Sequence, residues 1–210
     1  MHPAAVRQGH QVLAHPGRPV SCQSCRVRMT FVATLLMVAI SVVGCGGHHA
    51  DTSAGSSPDL SRSDIRVTSS EFSEGAQLPE RYTCHGAGIS PPLRFSGVPT
   101  AAAALALIVT DPDAPRGTYT HWVLFDLPPH VHELASASTP PQARQATNSA
   151  GTIGYTPPCP PSGTHHYHFT LVGLRDRIEL PDGAPLDQTI QHIWAQALAH
   201  GTLVATVTHP

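Results

Sequence analysis

From Leu105 to Leu127 the chain runs apolar, then polar, then apolar again. Ala102 to Thr110 is one continuous apolar run and Trp122 to Leu127 is another. Short runs of this kind, bounded by turn residues, read as buried strands. Between them Asp111-Pro112-Asp113-Ala114-Pro115 opens a polar connection that closes on His121-Trp122. Proline fixes its own φ and restricts the residue before it, so the two aspartates are held in one shape. Asp and Pro are also ordinary turn residues. Taken alone, the stretch reads equally as a tight turn or as a site.

The same patterning predicts the rest of the domain. Ile65-Arg66-Val67-Thr68 alternates and reads as a first strand, and Gly75 to Pro79 as a turn. Tyr82 to Leu93 is irregular and dense in Gly and Pro, and Pro128-Pro129 stops the strand before it. Residues 130–150 are polar with alanines and predict a long loop carrying solvated His130 and His132. Gly151 to Gly163 is a rigid glycine-and-proline loop. His165 to Leu174 alternates and then turns apolar, which is a core strand with His165 and Tyr167 on one face and His166 and His168 on the other. From Asp187 to Ala199 the period changes, and Ile190, Ile193, Trp194, Ala197 and Leu198 share a helical face. Asp187 is placed to cap that helix and Gly201 to stop it. Leu203 to Val207 is a last strand. Trp122, Phe125 and Phe169 read as core, and Tyr155 as core or site.

Residues 1–44 have the character of an address. Arg26 and Arg28 precede an apolar run from Thr30 to Val43, too short to span a bilayer but the right length for an export signal. The run ends at Val42-Val43-Gly44-Cys45, which resembles a bacterial lipobox. In such signals the Cys is lipidated, palmitate being one of its acyl chains, and becomes the mature N-terminus. An uncleaved anchor or a plain signal peptide is the alternative. Lipidation at Cys45 implies attachment to the cell membrane on its extracytoplasmic side. Residues 45–63 then read as a flexible tether and 64–210 as the folded domain. Cys22 and Cys25 form an isolated CxxC without a second pair. Translation from Met1 or from Met29 is left open.

Charge narrows the function. The chain has no lysine, and all 12 basic residues are arginine. After residue 50 there are 8 arginines against 14 carboxylates, a balance of −6. A nucleic-acid binder needs a basic face, so nucleic acid is excluded as a partner. There is no G-x-S-x-G and no HxxxH. No hydrolase nucleophile, metal site or cofactor is therefore indicated.

Three blocks together resemble the phosphatidylethanolamine-binding proteins, a family that includes the Raf kinase inhibitor proteins and their bacterial relatives. They are Cys84-His85-Gly86 through Ser90-Pro91-Pro92-Leu93; Asp111 to Pro115 with His121-Trp122; and Gly154-Tyr155 through Cys159-Pro160-Pro161, Gly163 and His165-His166-Tyr167. The resemblance runs from about residue 65 to the end. It implies a mainly β fold: a large antiparallel sheet packed with a smaller one, with few helices. It also implies a small anion pocket lined by Asp111, Asp113, His121, His165 and Tyr167, with backbone from the loop near Cys159. The expected ligand is a phosphorylated or phospholipid-headgroup-like group, held by a membrane-tethered protein that is not an enzyme. Inhibition of a serine hydrolase or kinase through a protein partner is the alternative reading, and hydrolysis by the Asp/His pocket a third. Two departures stand out: Pro157 occupies a usual Gly position, and His166 replaces the usual Arg of His-Arg-Tyr. Cys84 and Cys159 are the thiols that remain after Cys45, in loops the resemblance places near the pocket. An oxidising compartment permits a disulfide between them, but the sequence leaves their separation open.

Overall fold

The computed structural model describes residues 65–210. The leader, Cys22, Cys25, Cys45 and the tether lie outside the described residues. Eight strands run in chain order: β1 Arg66–Thr68, β2 Leu93–Ser96, β3 Ala104–Asp111, β4 Tyr119–Leu127, β5 Glu133–Leu134, β6 Arg144–Gln145, β7 Thr164–Leu174 and β8 Ala197–Thr208. Among the described residues one α-helix, α1, spans Leu186–Ala195. Strands β6-β4-β3-β7-β8 form a five-stranded sheet and β1-β2-β5 a smaller one, with every strand pair antiparallel. This is the mainly β, two-sheet architecture with a helix near the C-terminus.

The large sheet is covered on both faces. One face packs on the small sheet through Leu105, Leu107, Trp122, Phe169 and Leu203 against Val67, Leu93, Phe95 and Leu134. The other face carries Ala106, Ile108, Val123, Phe125 and Val172, roofed by Ile193 of α1 and by Ile178 and Ala184. That double cover is why β3 reads as an unbroken apolar run rather than an alternation. β7 lies half under the roof, so it alternates first and is buried on both faces afterwards.

Four expectations change. α1 ends at Ala195 rather than Ala199, because Ala197 onward pairs with β7 along its whole length. Ladder hydrogen bonds to a buried strand outweigh the helical period of Ala197 and Leu198. Asp187 sits in the first turn and is not the cap; Pro185 holds that position without a side-chain bond. Gly201 is no helix stop but lies inside β8 opposite Leu171, where an added Cβ would fall 1.8 Å from the Ile65 carbonyl oxygen. Residues 130–150 are also more ordered than a free loop. They supply the edge strands β5 and β6, and they bury Ala146 and Asn148. His130 and His132 are exposed, as expected.

Candidate functional site

The site lies where β3 ends, β4 begins and β7 begins. Asp111 closes β3 and is 4% exposed. Its Oδ1 accepts the Asp113 amide at 2.9 Å, which shapes the proline turn. Its Oδ2 accepts from His165 Nδ1 at 2.7 Å. His165 and Tyr167 are on the same face of β7, and both are buried. The Tyr167 phenol has its pKa raised by burial and, beyond that, by the neighbouring Asp111 carboxylate.

His121 reaches this group through an irregularity in β4. Val109 pairs with Trp122 and Thr110 with Thr120, so His121 is an extra residue in the ladder. A bulge re-aims side chains and is common beside functional sites. Here it turns both His121 and Trp122 to the inter-sheet face. His121 packs edge-on to Tyr167, ring centroids 5.2 Å apart, and 4.8 Å from Tyr119. Trp122 packs against Tyr155 and donates through Nε1 to Gln145 Oε1 at 2.7 Å. Burial lowers the His121 pKa, a shift partly opposed by its bond to Thr156 and by Asp111.

The Gly-Pro strap from Gly154 to Pro161 forms the remaining wall, and several contacts hold it. The Thr156 amide donates to the His121 carbonyl at 2.9 Å, and His121 Nδ1 donates back to the Thr156 carbonyl at 2.8 Å. Buried Asn148 donates to the Gly154 carbonyl and to Thr156 Oγ1. Its own Oδ1 accepts the Ala150 and Thr152 amides. Asn148 is a site-building residue that the polar pattern of residues 130–150 does not single out. Only its position, a turn residue just before a glycine-rich segment, hinted at that role. Tyr155, half-buried against Trp122, ties the strap down by donating to the Tyr82 carbonyl at 3.0 Å. Cys84 and Cys159 are joined, Sγ to Sγ at 2.06 Å, and the Cys84 amide donates to the Pro158 carbonyl. Pro157 packs over Gly88, a glycine with φ +65.

These elements enclose a cavity of about 330 Å³ lined by Asp111, His121, Cys159, His165 and Tyr167, with an apolar rim that includes Pro115, Tyr119, Pro157 and Pro161. Larger grooves of about 720 and 510 Å³ lie elsewhere, but their titratable side chains are not buried. Among the described residues no arginine lines the cup, and histidine is the one lining side chain that can carry positive charge.

One expected lining residue is elsewhere. Asp113 does not line the cavity. Its Oδ2 accepts the His166 amide at 2.8 Å and His166 Nδ1 at 2.7 Å, and the pair is solvent-exposed. The His166 side-chain bond, followed by the backbone bond, lowers the Asp113 pKa. Strand alternation is the reason: His165 and His166 point to opposite faces, and the proline turn sends one carboxylate to each. The described residues gather three metal-type ligand atoms at one place only, Cys84, His85 and Cys159, within 4.8 Å of one another. With the two sulfurs bonded to each other they present no thiolates to a metal.

Comparison with known proteins bears on what such a cup is. Residues 68–208 match the family described as phosphatidylethanolamine-binding protein. The chain belongs to that family. Among its relatives is the Mycobacterium tuberculosis protein named "Putative lipoprotein LppC", 37% identical over 185 residues, which cover 81% of this chain and 92% of the relative. The fold superposes on the crystal structure of CT736, a phosphatidylethanolamine-binding protein homologue from Chlamydia trachomatis. That match has a TM-score of 0.67 and 38% identity, over 71% of this chain and 100% of the other. Escherichia coli YbcL, described as a member of the mammalian family, matches with a TM-score of 0.66 and 28% identity, over 70% of this chain and 100% of its own. Family membership implies a binding protein.

Proposed function

We propose that the cup holds a small anionic group, such as phosphate or a phosphorylated headgroup, and that the protein binds it without turning it over. One observation carries this reading. Two buried imidazoles, His121 and His165, have Nδ1 committed to Thr156 and Asp111, while neither Nε2 bonds to a described residue or is sealed from solvent. A carbonyl or carboxylate on Nδ1 fixes the tautomer and leaves Nε2 to meet the ligand. A protonated Nε2 donates to a phosphate oxygen in a charge-assisted bond. The Tyr167 phenol, held in its protonated form, is a third donor. Asp111 holds His165 by its Nδ1 and aims its Nε2 at the cup, which gives a carboxylate a place beside an anion site. The apolar rim suits a phosphate carried on an apolar or ester-linked body.

The same geometry disfavours catalysis. An oriented imidazole is half of a nucleophile–base pair, but no serine lines the cup and the Cys159 sulfur is bonded to Cys84. Calorimetry with phosphate, phosphoethanolamine and glycerophosphoethanolamine tests the binding reading. Wild type is expected to bind, with His121→Ala and His165→Ala each weaker by about tenfold or more. Equal affinity in all three proteins sinks it. Turnover of a phosphodiester and ester panel above the level of those variants would show that the protein is an enzyme.

The tether belongs to the same proposal. Cys45 is acylated and holds the domain at the membrane's extracytoplasmic face. The lipobox-like Val42 to Cys45 and the lipoprotein name of the mycobacterial relative support this. Labelled palmitate should enter wild type and not Cys45→Ala, and only the variant should leave the detergent phase on cloud-point partitioning. Partitioning of both proteins into the aqueous phase would exclude the anchor.

A further inference from the structure

The roof over the second face of the large sheet is incomplete. α1 covers Ala106, Ile108, Val123 and Val172, but the face continues beyond them as threonines. Thr110 of β3 pairs with Thr120 of β4, and Ile108 of β3 with Thr170 of β7. Together with Thr118, Ile190 and Trp194 they enclose a notch of about 230 Å³ with no charged side chain in its lining.

Two details of this notch call for an occupant. Trp194 is 45% exposed, one of two large apolar side chains left open among the described residues. His200 packs perpendicular to it at 5.7 Å and steadies the indole. Thr120 is only 7% exposed, yet its hydroxyl bonds to no described residue and is not walled off from the notch. The hydroxyls of Thr110 and Thr118 are also without partners among the described residues, whereas Thr170 already bonds Thr202 at 2.9 Å. Water reaches that hydroxyl from the notch, and a purely apolar occupant would displace the water and leave the hydroxyl unpaired at a cost. With no cation in the lining an anion gains nothing there. What fits is a neutral molecule that offers hydroxyls along one edge and a flat C–H surface to an aromatic ring.

We propose that this notch is a second binding site, separate from the cup, and that it takes a neutral sugar ring. The ring lies against the Trp194 indole and exchanges hydrogen bonds with Thr110 and Thr120. The site stands on the opposite face of the sheet from His121, because the β4 bulge sends Thr120 one way and His121 the other. It does not depend on what the cup binds.

The test is saturation-transfer NMR on the full chain in a detergent without sugar headgroups, with glucose, maltose and N-acetylglucosamine at millimolar concentration as probes. Tryptophan fluorescence is titrated in parallel. Transfer to the sugar ring protons is expected in wild type and in His121→Ala. It should be lost in Trp194→Ala and about fivefold weaker in Thr120→Val, which removes one hydrogen bond at nearly constant volume. Circular dichroism confirms that each variant is folded. Absence of transfer to every probe overturns the proposal, and so does transfer that both notch variants leave unchanged. Self-association that depends on Trp194 and ignores sugar would assign the surface to a second copy of the chain and overturn it equally.

Discussion

Anion binding in a cup whose positive charge comes only from imidazole must take up protons. In the empty cup, burial holds the His121 pKa below its ordinary value, so His121 is neutral at pH 7. An anion next to its Nε2 favours the charged ring. At about 4 Å and an effective dielectric of about 20, the attraction is about 4 kcal/mol in favour of the charged ring. The occupied cup therefore titrates above the empty one. Between those two values binding consumes close to one proton, and the dissociation constant rises about tenfold for each unit that pH rises. Below the empty-cup pKa the ring is already charged and the slope vanishes. The groups facing His121 are Thr156, Asp111, Tyr119 and Tyr167, and burial holds the Tyr167 phenol protonated throughout this range. Glycerophosphoethanolamine is the right probe, because a phosphodiester does not change charge near neutrality. Calorimetry from pH 5.5 to 8, in two buffers of different ionisation heat, counts the protons directly. His121→Gln should bind more weakly and abolish the uptake. A pH-independent wild-type affinity, or the same uptake in His121→Gln, refutes the reasoning.

Other outcomes follow from particular contacts. Asp111→Asn should weaken anion binding severalfold by loosening His165, while Asp113→Asn should change it less than about twofold, because its exposed carboxylate serves His166 outside the cup. Parallel titrations of the two variants check this, and equal losses would return Asp113 to the cup. Reducing the Cys84–Cys159 bond, which closes 75 residues of chain, should lower unfolding free energy by about 2–4 kcal/mol. Denaturant melts with and without a dithiol measure the loss, and thiol titration of the unfolded, unreduced protein should find both cysteines blocked. Gly201→Ala should cost about 3 kcal/mol or more or prevent folding, since its Cβ would collide with the Ile65 carbonyl. A thermal melt within a degree of wild type would mean that β1 and β8 are not so closely apposed.

Much of the architecture is written in local periodicity. The buried β3 run, the half-alternating β7 and the amphipathic α1 each follow from how many faces the element buries. Boundaries failed where a distant partner decided them. Ala197 and Leu198 fit a helix by period, but β7 offers them a ladder, and only pairing shows it. Gly201 looks like a helix stop until the Ile65 carbonyl is seen lying over it.

The residues of the cup divide in the same way. That His165 and Tyr167 share a face is legible from strand alternation, a property of neighbours in the chain, whereas only the family resemblance implies that Asp111 meets them. That His121 joins them is likewise implied only by the resemblance, and local pattern does not put Trp122 on the same side, because a period of two sends the two to opposite faces. One extra residue in β4, defined only by its register against β3, turns both to the same side. Likewise Asp113 resembles Asp111 in sequence and leaves the cup only because β7 presents His166 on its far face. Asn148 belongs to the site solely through contacts made after folding. Local sequence thus determined which side chains carry the chemistry, and long-range strand pairing decided which of them meet, because facing is set by register and register belongs to two strands at once.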